Sequence, residues 1–571
     1  MSSAGTVRVT FFGGVGEIGK NMSIFESAGC IIVVDCGAKF PENDQLGVDL
    51  VIPDYTYLEQ NQDRIAAVIL THGHEDHVGG LPYFLGRIQP PVIYGTRLTL
   101  GLVEAKLAEF SDVSRPSMEE VAAGDTLSEG PFEIELLHVN HSIPDSVGLA
   151  LRTPAGIIIH TADFKFDQTP IGGRPLDSGA FARYGQDGVR LLISDSTNAE
   201  RPGYVASERL VGETFLRLLD KAPGRVIIAT FASNIHRVQQ VLDASQRLGR
   251  KVVVDGRSMA QNVEMATRLG YLTYPQGLII SADEMSSHEP DEITIVTTGS
   301  QGEPTSALTR MAVAEHKKIE VEQGDTVVLS ATPIPGNEEL IWRTVNNLFR
   351  LGATVIYTPH ELVHVSGHGN QEELKLMLSL TKPEHVLPYH GEPRHQHTYG
   401  RLAATMGVDP GNVHTVEPYQ TVEVSGSGVK IVDRIPGEAM LVDGSIIGDV
   451  KSKLLRERRL LAEDGVVFVS AALAAGTRDI LDGPAIETKG FVYVDESGHL
   501  IDEALDLATD IIHDSDEEMD LYDLERELKG ALTKLFRSRT GRRPLVLPVL
   551  FEVGGNGDGN GLDGPQGRGT A

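Results

Sequence analysis

Cysteine is nearly absent: the 571 residues hold two, Cys30 and Cys36, too few for a disulfide framework. Both fall in or beside one apolar run, IIVVDCG, where small buried thiols are the ordinary reading. No apolar run approaches the roughly 20 residues needed to span a bilayer, so no membrane is expected among the partners. Met1 to Val7 shows no basic stretch leading into an apolar one, which argues against a secretory signal and for a cytoplasmic location. Positive charge is scarce too. With 50 Lys and Arg against 80 Asp and Glu the formal charge is −30, which argues against a protein that coats nucleic acid by bulk electrostatics. A nuclease is still allowed, because bound cations and a local groove of Arg and Lys set the field where it matters.

What is present is ordinary for soluble globular protein, 41% hydrophobic and 23% charged. A chain of 61.7 kDa exceeds what one core supports, so two to four domains are expected. Residues 6–207 alternate β-rich runs (RVTFFGG, CIIVVDCG, AAVIL, FEIELLHV, GIIIHTADF) with turns. From 208 to 360 the pattern becomes strand then helix, repeated, as in RVIIATF, NIHRVQQVLDASQRLG, KVVVDG; this predicts a parallel α/β domain. Residues 361–450 return to the first pattern, with HVLPYHGE and an edge strand in TVEVSGSGVKIVD. A last compact α+β segment over 455–553 has strands in VVFVSAAL, GFVYVDESG and PLVLPVLFEV around one long acidic helical stretch. The Gly-, Asn- and Asp-rich residues 554–571 are expected to be disordered.

Gly14, Gly16 and Gly19 form GxGxxG after a strand, with Asp35 near dinucleotide-binding spacing. That site requires a helix after the glycines. KNMSIFESAGC instead reads as a hairpin, so the loop is expected to shape a cleft floor.

The sequence Thr71-His72-Gly73-His74-Glu75-Asp76-His77 follows the apolar strand AAVIL directly. Three imidazoles and an aspartate within six positions are costly in a core and purposeless on a surface. Imidazole and carboxylate suit zinc, and manganese where oxygen donors are frequent. His72 and His74 can turn toward one ion, Asp76 and His77 toward a second. Further candidates recur at strand ends: His141 with His138 as competitor, Asp163 with His160 beside it, and His390.

HxHxDH, His141, Asp163 and His390 together resemble the metal-binding motifs of the metallo-β-lactamase superfamily, an αββα sandwich with its site at the sheet ends. The resemblance implies one ion held by His72, His74, His141 and Asp163, and another by Asp76, His77, Asp163 and His390. Asp35 would support ligands without being one. Two zinc ions, or manganese or magnesium in their place, about 3.5–4 Å apart would activate water and stabilise attacking and leaving oxygens. SDSTN and HVSGH resemble the motifs framing the inserted β-CASP domain of nucleic-acid-processing members. Asp195 matches motif A, His368 motif B and His390 motif C, where DNA-directed members carry valine; a histidine there accompanies RNA.

GGVGEIGKN, THGHEDHVGG, DSTNA, HVSGHG and PYHGEPRH resemble the ribonuclease J family over essentially residues 7–553. This implies a metallo-β-lactamase domain in two parts (6–207 and 361–450), a β-CASP domain (208–360) and a small C-terminal domain (455–553). It also implies 5′-to-3′ exonuclease and endonuclease activity on single-stranded RNA carrying a 5′ monophosphate, in mRNA decay and rRNA maturation. A homodimer or homotetramer, and contact with RNA-degradation machinery, are implied as well. His368 would protonate the leaving oxygen, steered by Asp195. His364, Ser366 and Gly367, in one tight turn, would receive the 5′ phosphate, with Ser233 and Asn234 facing them. Ser233-Asn234 also reads as a helix N-cap, and the two readings are compatible. Gly47, Asp49 and Asp443 resemble a calcium site of some members, although separated aspartates are often simply exposed. Arg537, Arg539, Arg542 and Arg543 form a basic cluster without an assigned role. The competing readings are a DNA nuclease of the same architecture, a thioester or lactam hydrolase, and a non-catalytic scaffold.

Overall fold

The β-branched runs pair into two sheets packed face to face. In the computed structural model, which describes residues 5–554 apart from 43, 335, 445, 449–451, 476, 492–497 and 517–518, the first sheet has eight strands. Their spatial order is Gly428–Arg434, Gln420–Ser425, Val7–Gly13, Met22–Ser27, Cys30–Val34, Ile65–Ile69, Val92–Gly95 and Ser117–Glu120. The second has six: His385–Tyr389, Val189–Asp195, Gly156–His160, Val147–Thr153, Phe132–His138 and Thr126–Glu129. Val9, Phe11, Phe25 and Ile32 of one sheet meet Leu149, Ile158, Leu191 and Ile193 of the other in a shared apolar core. Short helices lie in the parallel crossovers of the first sheet. Helices Ser178–Asp187, Gln371–Thr381 and Pro393–Thr405 cover the outer face of the second with Phe181, Leu374, Leu378 and Leu402. This is the αββα sandwich.

After Gly14, Gly16 and Gly19 the chain enters the strand Met22–Ser27, antiparallel to Val7–Gly13. No helix intervenes, so the glycine loop is not a dinucleotide site. Gly14 has φ +74° and a Cβ there would lie 2.3 Å from Asn21 Oδ1, while its carbonyl accepts the His390 amide at 2.5 Å. The loop packs against the backbone at His390 and Gly391.

The inserted segment forms a six-stranded parallel sheet in the order Ile279–Ile280, Lys251–Val254, Ile293–Thr297, Val226–Ala229, Thr326–Leu329 and Thr354–Tyr357. Helices flank both faces, each burying one stripe; in Glu338–Arg350 the buried set is Ile341, Thr344, Val345 and Leu348, the spacing of an amphipathic helix.

All of this belongs to one compact unit, Met1–Pro41 with Asp49–Val442; Glu42–Val48 and Asp443 onward form a second. The second unit therefore begins earlier than the expected break at 450. In it, strands Ile480–Lys489, Val466–Ala474 and Leu545–Val553 form a sheet. Val467, Val469 and Leu473 pack under Ala504, Ile512, Leu524, Leu528 and Phe536. The acidic stretch expected as one helical run divides into Gly498–Asp514 and Leu521–Thr540, because the Asp520 side chain accepts the Asp523 amide and starts a new helix. Most of the strand expected in GFVYVDESG (492–497), and the tail from 555, lie outside the described residues. Among the described residues no helix is long and apolar enough to cross a membrane.

Candidate active site

The strand Ile65–Ile69 delivers Thr71 and His72 to the end of the first sheet, and the short helix Glu75–Val78 presents Asp76 and His77. The second sheet contributes His141 after Phe132–His138, Asp163 after Gly156–His160 and His390 after His385–Tyr389. Gly37 lets the loop after Cys30–Val34 approach the backbone of the ligand loop, since a Cβ there would lie 1.7 Å from the Asp76 carbonyl oxygen.

Ligand atoms converge in two groups that hold the expected ligands, His72, His74 and His141, and Asp76, His77, Asp163 and His390; two more bring in His368, with His141 and Asp163 and with Asp195 and His390. His72 Nε2 and His141 Nε2 each stand 3.1 Å from His74 Nδ1. Asp163 Oδ2 lies 3.7 Å from His72 Nε2, 3.7 Å from His141 Nε2 and 3.2 Å from His77 Nε2, so one oxygen faces both groups. His390 Nε2 is 3.0 Å from Asp76 Oδ2.

The far nitrogens of these rings are fixed. His77 Nδ1 faces Asp35 Oδ2 at 2.7 Å, His141 Nδ1 donates to the Gly367 carbonyl at 2.8 Å, and His390 Nδ1 meets Thr197 Oγ1 at 2.9 Å. Asp35 Oδ2 also accepts the Thr71 hydroxyl at 2.8 Å, and that hydroxyl oxygen faces His72 Nδ1 at 3.1 Å. Each of these rings thereby turns its Nε2 inward, the arrangement expected of metal-binding histidines. Burial opposes charge on His77, but Asp163, Asp76 and Asp35 outweigh it and hold that imidazole well above the usual range. Asp163 Oδ1 is buried without a hydrogen-bond partner. Burial and the neighbouring imidazoles hold His74 down to about 4, and His72 and His141 well below the usual range, so these rings are neutral donors. Burial opposes charge on Asp163 as well, but His390, His77 and His368 outweigh it and hold the carboxyl well below the usual range. A nitrogen-and-carboxylate set of this kind fits zinc or manganese.

His368 borders the cluster. Its Nδ1 is 2.8 Å from Asp195 Oδ2, and Asp195 Oδ1 accepts the Thr197 amide at 2.9 Å. Burial works against its charged form, but Asp195 and Asp163 prevail and push His368 up to about 9. The competitors fall away: His138 bonds the Arg174 carbonyl at 3.0 Å, and His160 Nδ1 accepts the Ala162 amide at 3.1 Å.

The segment expected as one tight turn forms none: residues 363–366 are irregular and the chain bends at Gly367–His368. Val363, Val365 and Gly367 are buried while His364, Ser366 and His368 are partly exposed, so these three share a face. Ser366 Oγ accepts from Asn198 Nδ2 at 2.9 Å and from the His368 amide at 3.1 Å, leaving its own hydrogen to donate. A Cβ on Gly367 would lie 2.6 Å from His141 Cε1. Asn234 caps helix Ile235–Arg247, its side chain accepting the Arg237 amide at 3.2 Å. Ser233 precedes it, partly exposed.

The calcium expectation fares differently. Asp443 pairs with the Arg458 guanidinium, which also donates to the Leu46 carbonyl at 3.0 Å and lies 2.7 Å from where a Cβ on Gly47 would stand. Within that unit the oxygens already face a cation of the chain, and a calcium ion does not fit beside it. Asp49, in the other unit, donates its amide to the Val442 carbonyl at 2.8 Å. Of the basic cluster, Arg539 pairs with Glu503, and Arg542 donates to the Phe491 carbonyl at 3.1 Å.

Sequence reasoning did not single out Thr71, Thr197 or Asn198. All three lie inside motifs that it quoted, but their roles depend on partners dozens to nearly two hundred residues away.

Comparison with known proteins adds four family matches: "Metallo-beta-lactamase superfamily" over 15–195, "Ribonuclease J, beta-CASP domain" over 223–348, "Zn-dependent metallo-hydrolase RNA specificity domain" over 353–416, and "Ribonuclease J C-terminal domain" over 453–553. Ribonuclease J2 of Bacillus subtilis is 42% identical over 96% of this chain and 99% of its own length. Ribonuclease J of Thermus thermophilus is 41% identical over 96% of this chain and 95% of its own. The chain belongs to the ribonuclease J family. A solved Enterococcus faecalis protein of unknown function covers 75% of this chain and all of its own length at TM-score 0.52 and 15% identity, a likeness of fold alone. In this member of the ribonuclease J family the β-CASP match coincides with most of the parallel sheet, and the RNA-specificity match spans His364, Ser366, His368 and His390.

Proposed function

We propose that the chain hydrolyses phosphodiester bonds of single-stranded RNA with two metal ions, cutting 5′-to-3′ from a 5′-monophosphorylated end and also internally. The observation that carries this reading is Asp163, whose buried Oδ2 lies within 3.7 Å of ligand nitrogens from both groups. Two ions held by His72, His74, His141 and Asp163, and by Asp76, His77, Asp163 and His390, would supply Lewis acidity toward water and the phosphate oxygens. Asp35 and Thr197 orient His77 and His390. His368, charged at neutral pH through Asp195, holds a proton beside the cluster, suited to transfer onto the leaving oxygen. Ser366 offers a free hydroxyl hydrogen on the same face, which with His364, the Gly367 backbone and the Ser233-Asn234 helix start would receive the terminal phosphate. Zinc is the favoured metal, with manganese or magnesium as substitutes. Roles in mRNA decay and rRNA maturation, a cytoplasmic location, a homodimer or homotetramer and contact with RNA-degradation machinery are supported by family membership alone.

A timed digest of end-labelled RNA bearing 5′ monophosphate, triphosphate or hydroxyl, with zinc, manganese or magnesium and a DNA oligonucleotide alongside, tests the reading. Mononucleotides released first from the monophosphorylated RNA are expected; equal cutting of DNA, or no dependence on metal, overturns it.

A further inference from the structure

Arg237 is a fully buried arginine in the first turn of the inserted domain's helix Ile235–Arg247. Its Nε and Nη2 donate to Glu208 Oε1 at 2.9 and 2.6 Å, while Nη1 donates to the Ser330 carbonyl at 2.9 Å. The same Nη1 stands 2.7 Å from His364 Nδ1. A guanidinium has no acceptor, so Nδ1 must accept, and the imidazole hydrogen then resides on Nε2. Glu208 is itself held, its amide donating to Asp167 Oδ2 at 3.0 Å, and Ser330 Oγ fixes the backbone before His364 through the Val363 carbonyl at 2.6 Å.

We propose that Arg237 is a positioning residue that fixes His364 as the neutral imidazole with its hydrogen on Nε2, and that this link from the inserted domain sets the preference for a 5′-phosphorylated end. The inference rests on the reading of His364 and Ser366 as the receiver of the terminal phosphate. Charge points the same way. Burial first, then Arg237, Lys165 and Arg201, outweigh a hydrogen bond to the Ser330 backbone and hold His364 well below the usual histidine range. The ring is therefore a directed neutral donor, and its orientation depends on a residue that does not touch RNA.

The test compares kcat/KM on RNA of one sequence with a 5′ monophosphate or a 5′ hydroxyl, using the metal-loaded full chain. Arg237→Met is expected to lower the phosphate-to-hydroxyl ratio about tenfold, through KM of the phosphorylated substrate. In a His364→Gln background, Arg237→Met should change the ratio by less than about twofold, since the group it acts through is gone. If Arg237→Met alone does not fold, as verified by circular dichroism, the charge-balanced pair Glu208→Gln with Arg237→Met carries the same expectation. Equal loss on both substrates, or a further drop of the ratio in the His364→Gln background, overturns the positioning role. A wild-type ratio of one instead overturns the phosphate-receiving reading itself, whereas a wild-type preference that survives Arg237→Met sinks only the role of Arg237.

Discussion

Asp35 Oδ2 and His77 Nδ1 meet at 2.7 Å with both side chains excluded from solvent, and the same carboxylate accepts the Thr71 amide and hydroxyl at 2.8 Å. Asp35 thus aims one ligand and anchors the loop that also carries His72, His74 and Asp76. Asp35→Asn is expected to weaken metal binding about 10–100-fold, the usual cost of removing such an orienting partner. Competition against a zinc chelator measures it; unchanged affinity contradicts the role of Asp35.

His74→Ala and Asp76→Ala each remove a donor from one of the two groups. Cleavage should fall by about a thousandfold or more, since charge stabilisation worth several kcal/mol is lost, while binding of RNA stays largely intact. Elemental analysis with a gel-shift assay separates the two effects. Wild-type turnover in either variant sinks the metal assignment.

His368→Gln removes the proton held against Asp195 at 2.8 Å without removing any of the seven assigned ligands. The expected loss is about 10²–10⁴ in kcat, the range for a general acid, with metal content unchanged. Single-turnover cleavage rates check this. A variant as fast as wild type removes His368 from the chemistry.

Ser366→Ala deletes a hydroxyl that already accepts two hydrogen bonds and has its hydrogen free. Preference for a 5′ monophosphate over a 5′ hydroxyl should drop about tenfold, in line with one lost hydrogen bond to a charged group. The same preference before and after would exclude Ser366 from the pocket.

His385 and His414, 3.1 Å apart at the opposite end of the second sheet, give a pH prediction independent of metal. Burial, then the neighbouring His385, push His414 down to about 4, and burial also lowers His385. A depressed folded-state value means that the unfolded chain binds more protons between about pH 6.5 and 4. Stability from this pair is therefore complete above about 6.5 and declines as the pH falls toward 4. His414→Gln should flatten that slope by at most about 1.4 kcal/mol per pH unit, the limit for one proton. Urea unfolding at stepped pH reads the difference, and parallel slopes would refute it.

Much of the fold could be read in advance because its signals are local. The runs CIIVV and GIIIH are β-branched and buried on both faces, and the inserted domain alternates strand and helix. The acidic stretch after 498 reads as one run because both helices share its composition; the break depends on a single cap at Asp520. The irregular course of residues 363–368 is equally hidden, since Ser330, Asn198 and His141 from distant parts of the chain bond Val363, Ser366, Gly367 and His368.

By itself the sequence determined the donor chemistry. Seven imidazoles and carboxylates sit where apolar strands end, and that placement follows from short-range pattern. Only the tertiary structure decided which nitrogen of each ring faces inward, that a single oxygen of Asp163 faces both groups, and that Arg458 already occupies the corner by Asp443. Those outcomes depend on hydrogen bonds between residues far apart in the chain, such as His141 with Gly367 and His390 with Thr197, and no local periodicity encodes them.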